Sequence, residues 1–149
     1  MKKLFLILVL LSTVGVVYAQ SPSERTKVSL LQELSWMEGA WKGMAGSSPF
    51  FERYELVNDT LIRIDYYADS TLREIEASGN LFLEEGTLFH TYGQSKWKMT
   101  QNEGRTWCFE PVVNASNSFC WTFIDKDSWS ARLMSSGKTS DYLMKRISP

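Results

Sequence analysis

The chain has 149 residues, a formal net charge of −1, and an aromatic share of 13%. This length fits one domain that buries a sizeable core. The basic residues are scattered and never form a run, which excludes a polyanion-binding surface, so we predict no nucleic-acid partner.

The chain opens with the features of a cleaved export signal. Two lysines precede a largely apolar run over residues 4–17, and Val17 and Ala19 supply small residues at the −3 and −1 positions of a signal-peptidase site. As a helix this run spans about 21 Å, which is short of a bilayer core of roughly 30 Å. We therefore predict a signal peptide over 1–19 and one domain over 20–149. The protein would be periplasmic or secreted, without a transmembrane segment after signal removal.

A short helical pattern follows over residues 21–35. Ser23 can cap it, and Val28, Leu31 and Leu34 recur at three-residue spacing. We expect this helix to close one end of the domain.

From residue 39 onward the sequence alternates between short apolar stretches and turn residues. Ile62, Ile64 and Tyr66, for example, share one face of the predicted strand 61–68. The first predicted strand runs from residue 39 to a turn at 46–49, and the others cover 50–57, 61–68, 71–78, 81–83, 87–92, 96–100, 105–109, 119–124, 128–134 and 139–147. Residues 79–80 are predicted to turn, and residues 110–117 to form a longer loop.

About ten strands joined by tight turns indicate an all-β sandwich or an antiparallel up-and-down barrel. No second helix of useful length is predicted, which excludes a parallel βαβ fold. Closing a meander into a barrel removes its two free edges, so we predict the barrel.

The stretch Gly39-Ala40-Trp41 matches the Gly-x-Trp signature that opens the first strand of lipocalins and their calycin relatives. The chain is more closely similar to a family of exported, uncharacterised bacterial lipocalin-like proteins. The segments that resemble the hallmarks of this family are 34–43, 51–55, 58–61, 127–132 and 141–147. The resemblance implies a lipocalin-like barrel of eight to ten strands with a short N-terminal helix, and often a cup for a small apolar molecule.

The same resemblance implies structural roles for Gly39, Trp41 and an arginine of a late strand. Trp41 would pack across the closed end, under a cation–π stack with Arg146 or, as second candidate, Arg132. The loop 111–116 lacks the His-Asp-Phe-Pro-like stretch of closer relatives, so no role of that loop is carried over.

Residues that could support catalysis are few. His90 is the only histidine, and no motif gives it a nucleophile and an orienting acid. Glu74 and Glu76 share one face of a predicted strand and would form an acid–base pair only if that face pointed inward. Asp125 and Asp127 flank one lysine in a tight turn and do not make a metal site. We predict no catalytic residue, no metal and no cofactor.

The two cysteines lie on strands that flank the predicted loop 110–117. If that loop is symmetric about Asn114, Cys108 and Cys120 face each other within disulfide range. An oxidising compartment would permit the bond. Two buried thiols are the alternative, because a slip of one residue would place the cysteines on opposite faces.

Strand parity selects the side chains that we expect to face inward. The predicted wall of a ligand site comprises Tyr54, Tyr66, Trp97, Trp107 and Trp121, with His90 as a polar anchor. Trp129, whose strand neighbours are polar, is expected to matter less for ligand binding than Trp121.

The leading hypothesis is a non-enzymatic barrel that binds a small, largely apolar ligand. The alternatives are a filled barrel that serves as a structural or protein-interaction module of the cell envelope, and an enzyme that uses Glu74, Glu76 or His90. The sequence does not indicate an oligomeric state.

Overall fold

The computed structural model describes residues 30–148, which form a closed barrel of ten antiparallel strands. The strands are β1 (Gly39–Ala45), β2 (Ser48–Asn58), β3 (Leu61–Tyr67), β4 (Ile75–Glu84), β5 (Thr87–Tyr92), β6 (Ser95–Glu103), β7 (Thr106–Val113), β8 (Asn117–Asp125), β9 (Ser128–Ser135) and β10 (Lys138–Arg146). Each strand pairs with the next along the chain, and β10 returns to β1. The prediction of an all-β up-and-down barrel is confirmed.

A short helical segment plugs one end of the barrel, called the closed end below. Residues 30–33 are helical, and a 3₁₀ helix (Ser35–Met37) follows. Leu31, Leu34 and Met37 are almost completely buried, and each such side chain contributes roughly 1.5–3 kcal/mol of hydrophobic free energy. Within residues 30–148, no helix is long and apolar enough to cross a bilayer. The predicted leader and the first part of the predicted helix fall outside the described residues.

Trp41 and Arg146 join the first and last strands at the closed end. They are register partners in β1 and β10, and the guanidinium carbon lies 4.1 Å from the centre of the Trp41 ring. Gly39 has a φ of 119°, and a Cβ there would lie 2.5 Å from an Arg146 nitrogen. Glycine therefore suits both the backbone conformation and the approach of the arginine. This is the contact that the resemblance implies for Arg146; Arg132 instead pairs with Asp141.

The Arg146 guanidinium also satisfies three backbone carbonyls from separate segments. Its nitrogens donate to the carbonyl oxygens of Trp36 at 2.9 Å, Glu38 at 2.7 Å and Lys126 at 2.8 Å. The planar fork of arginine can serve several acceptors at once, which a lysine ammonium does less well. One side chain on β10 thus ties the N-terminal plug to the turn between β8 and β9.

The predicted turn at residues 79–80 is wrong. β4 runs without interruption from Ile75 to Glu84, and residues 71–74 precede it instead of forming a strand. Gly79 lies where the backbone of β5 approaches closely, since a Cβ at this position would lie 2.3 Å from the Thr91 carbonyl oxygen. The glycine marks a close strand contact, not a turn.

The predicted loop over 110–117 is longer than the observed one. β7 continues to Val113, which leaves residues 114–116 as the connection. Pro111 lies within this strand, opposite Trp97 and beside a register shift of the β6–β7 pair. A bulge tolerates a residue that has no N–H for the strand ladder, so proline does not end the strand here.

The β7–β8 hairpin places Cys108 opposite Cys120, and the structure contains a disulfide between them with an S–S distance of 2.09 Å. The flanking pairs are Trp107 with Trp121 and Phe109 with Phe119. The hairpin is therefore crosslinked on one face and carries paired aromatic side chains on the other.

Candidate ligand-binding site

The end of the barrel opposite the helical plug holds a cavity of about 480 Å³. This volume lies within the roughly 300–1,000 Å³ typical of ligand pockets. The lining residues used below are Phe50, Glu52, Tyr54, Tyr66, His90, Tyr92, Trp97, Phe119, Trp121, Trp129, Ala131, Arg132, Tyr142 and Met144. Most of them are aromatic or aliphatic, so an occupant would be in mainly apolar contact.

The deep part of the cavity is built from aromatic rings in edge contact. The Tyr54 ring lies 6.4 Å from the Trp121 ring and 6.0 Å from the Trp129 ring, in both cases nearly perpendicular. Trp121 also contacts Phe119 at a centroid distance of 5.0 Å. The planes of Trp121 and Phe119 are tilted by 38°, whereas the two Tyr54 contacts are edge to face. These contacts fix the ring orientations, so the deep wall is preformed.

Two pairs of rings lie nearer the mouth. Tyr66 and Tyr92 meet at 4.9 Å, and Phe50 and Tyr142 at 5.8 Å, both edge to face. The Phe50 ring can take its position because Gly43 lies beneath it. A Cβ on Gly43 would come within 2.1 Å of that ring. The absence of a side chain at Gly43 therefore determines where the Phe50 ring lies in the cavity wall near the mouth.

Glu52 is the functional candidate that our reading of the sequence missed. It lies on β2 between Phe50 and Tyr54, and its register partner on β3 is Tyr66. The Tyr54 hydroxyl donates a hydrogen bond to Glu52 Oε2 at 2.8 Å. Burial raises the pKa of the Glu52 carboxyl to about 7, although the bond from Tyr54 partly opposes this shift. The carboxyl therefore changes charge near neutral pH.

His90 is part of the wall but is not a cation. Its ring lies 5.4 Å from the Trp97 ring and 5.6 Å from the Trp121 ring, and the residue is 5% exposed. Burial lowers its pKa to about 4, against a smaller opposing effect from a hydrogen bond with the backbone of Asn80. The imidazole is thus neutral near pH 7, and its buried Nδ1 has no hydrogen-bond partner among the described residues.

Five of the six residues predicted to contact a ligand line the cavity together: Tyr54, Tyr66, His90, Trp97 and Trp121. Trp107 does not. It faces inward, but it lies nearer the closed end and packs against Trp36 at a centroid distance of 5.7 Å. Parity predicts which face of a strand a residue occupies, not its depth along the barrel axis.

Trp129, which we expected to matter less for binding than Trp121, also lines the cavity. Its side chain is 1% exposed, lines the cavity floor and contacts Trp121 at 5.9 Å. Its polar strand neighbours face outward or toward the turn, so their polarity does not indicate whether the Trp129 side chain is buried. A substitution of Trp129 cannot serve as a control for one of Trp121.

The carboxylates considered for catalysis lie elsewhere. Glu74 precedes β4, Glu76 lies near its start, and both are exposed and absent from the cavity wall. Asp125 accepts hydrogen bonds from Ser128 Oγ and the Asp127 N–H, which are the side-chain contacts that stabilise a tight turn. Within the described part of the chain, no group of three or more potential ligands could hold a metal ion.

No protein-family model matches the chain, and no curated protein matches it. The closed ten-strand antiparallel barrel is compatible with a lipocalin-like fold. The function is therefore inferred from the geometry of the cavity.

Proposed function

We propose that this protein is an exported, lipocalin-like barrel that binds a small, largely apolar ligand in its cup and does not act as an enzyme. The observation that carries the proposal is the cavity of about 480 Å³ with a deep wall of tyrosine, tryptophan and phenylalanine. A barrel that served only as a structural module would fill this space with interlocking side chains. The aromatic wall instead leaves room for one small molecule.

Binding should be tested with a neutral apolar dye such as N-phenylnaphthylamine, whose emission rises when it leaves water. Purified protein lacking residues 1–19 should bind the dye saturably, with a matching change in tryptophan emission. The variant Ala131→Phe places a ring in the cavity and should weaken binding about tenfold or more. Ser130→Phe is the matched control, because it adds the same ring to the adjacent, outward-facing position of β9.

Failure of the dye to bind wild-type protein above background would contradict the proposed function. An equal effect of the two variants would also contradict it, because the dye would then bind outside the cup.

Export is supported by the sequence of residues 1–19 and by the disulfide between Cys108 and Cys120, which requires an oxidising compartment to persist. Expression of the full chain in a bacterium, followed by fractionation and mass spectrometry, tests this part. The expected product starts at Gln20 and is found outside the cytoplasm. An intact chain confined to the cytoplasm would contradict the proposal of export.

A further inference from the structure

Among the described residues, the cavity lining has one carboxyl group, and no cation pairs with it. Glu52 is the single carboxylic acid among the residues that line it within the described chain. Arg132 also reaches the lining, but its side chain is 60% exposed, and its guanidinium donates to the Asp141 carboxylate at 2.7 and 3.4 Å on the outer surface. His90 is buried and neutral, as described above. Within residues 30–148, the ionised form of Glu52 therefore has no positive partner inside the cup.

The surroundings of this carboxyl suit a cation. Aromatic faces carry negative electrostatic potential, and proteins use groups of such rings to hold organic ammonium ligands. A carboxylate among the rings adds a full negative charge for the cation. Phe50 and Tyr54 flank Glu52 on its own strand, and Tyr66 lies opposite it on β3. Among the described residues, the carboxylate accepts one side-chain hydrogen bond, from Tyr54 to Oε2. Oε1 is left to face the positively charged group of the ligand.

We propose that the cup takes an organic cation, in which an apolar body fills the aromatic space and a positively charged nitrogen pairs with the Glu52 carboxylate. This inference rests on the proposed function and specifies its ligand class. A ligand that carried a carboxylate would be repelled by Glu52 and would find no free cation in the cup. A neutral ligand would offer no charge partner to Glu52, which would then be ionised only at the cost of burying an unpaired carboxylate.

The proposal implies that affinity depends on pH in a stated direction. The titratable groups that share the cavity with Glu52 are Tyr54 on its own strand, Tyr66 on β3, His90 and Tyr92 on β5, Tyr142 on β10, and Arg132 at the rim of β9. Burial keeps the hydroxyls of Tyr54 and Tyr66 protonated by raising their pKa values, and it keeps His90 neutral above about pH 5 by lowering its pKa. Glu52 is thus the lining group that changes charge near pH 7.

The test compares three probes with the same ten-carbon chain and different head groups: decyltrimethylammonium, decanol and decanoate. The two ionic probes are used below their micellar concentrations and decanol below its solubility limit. The affinities are measured at about pH 8 by displacement of the bound dye. The cation should bind at least tenfold more tightly than the alcohol, and the carboxylate should bind most weakly. When the pH is lowered to about 6, the affinity for the cation should fall about tenfold, because Glu52 gains a proton. The affinity for decanol should change little.

The decisive variant is Glu52→Gln, which keeps the shape of the side chain and removes its charge. It should weaken binding of the cation about tenfold to a hundredfold and abolish its pH dependence, while decanol still binds. Glu55→Gln is the matched control, since Glu55 lies on the outer face of the same strand and pairs with Arg63. This control should leave all three affinities unchanged.

The outcomes separate the two proposals. Equal binding of the cation and the alcohol to wild-type protein, or tighter binding of decanoate, would overturn the assignment of a cationic ligand and leave cavity binding intact. Retention of the preference for the cation by Glu52→Gln would overturn it as well. If the dye and all three probes fail to bind, both the ligand class and the proposed function are overturned.

Discussion

The buried carboxyl of Glu52 should make the barrel less stable as the pH rises, and the variant Glu52→Gln should remove this effect. The pKa is about 7 in the folded protein and 4.5 in the reference state. Below the lower value the carboxyl is protonated in both states and has no effect on their balance. As the pH rises toward 7, the unfolded chain loses its proton first, so the free energy of unfolding decreases; above about 7 the loss is complete.

The full difference in pKa corresponds to about 3 kcal/mol of unfolding free energy. Water reaches the cup through its mouth and reduces this penalty, so we expect about 1–2 kcal/mol. Glutamine has no charge at any pH and can still accept the hydrogen bond from Tyr54. The variant should therefore be about 1–2 kcal/mol more stable than wild type at about pH 8 and equally stable at about pH 4.5.

Urea denaturation, monitored by tryptophan emission at a series of pH values, measures this difference. Glu55→Gln controls for the loss of one negative charge on the outer face of the same strand. It should change the free energy of unfolding by less than about 1 kcal/mol at any pH. A difference between wild type and Glu52→Gln that stays constant from about pH 4.5 to 8 would refute the reasoning, because it would show that burial does not raise the pKa.

Three further predictions concern stability and shape. Replacing both Cys108 and Cys120 with serine should lower the free energy of unfolding by about 3 kcal/mol in non-reducing urea denaturation, since the bridge closes a loop with a sequence separation of 12; a loss below about 1 kcal/mol would contradict this. Arg146→Lys should cost about 2 kcal/mol because lysine cannot serve three carbonyls in the same way, and an unchanged thermal midpoint would contradict that. Gly43→Ala should cost about 1–3 kcal/mol and weaken dye binding, because the new Cβ collides with the Phe50 ring; full retention of both stability and binding would show that the ring moves freely.

Regular alternation made much of the barrel predictable from sequence. Ile62, Ile64 and Tyr66 face inward on β3 as expected, and the turns after β2 and β8 lie where polar residues cluster. The errors occurred where one residue type has two structural uses. Gly79 permits close approach of β5, and Pro111 lies beside a bulge within β7. The sequence predicts the first in a turn over 79–80 and the second in a loop over 110–117.

The site was only partly predictable for a related reason. In the stretch from Phe50 to Tyr54, polar and aromatic residues do not alternate regularly, so a glutamate beside Phe51 gives no clear indication of which face it occupies. The structure places Phe51 opposite Tyr67 on the outer face of the barrel, where both are buried, and Glu52 on the inner face. The sequence did contain one indication: Glu52 lies two residues before Tyr54, so the two side chains share one face of the strand. The depth of Trp107 and Trp129 along the barrel axis had no such signal, because it depends on how all ten strands are staggered.

The seam between β1 and β10 determines when the barrel can be completed. Trp41 pairs with Arg146, and the Ile147 N–H donates to the Ala40 carbonyl at 2.8 Å. The outer edge of β1 is therefore hydrogen-bonded only after β10, the last strand, has been placed. A nascent or refolding chain with nine strands in place is an open sheet with two unpaired edges. Such an intermediate can add a strand from another molecule, so self-association during folding competes with ring closure. High protein concentration during refolding should therefore favour aggregates, whereas the closed barrel offers no edge to other chains.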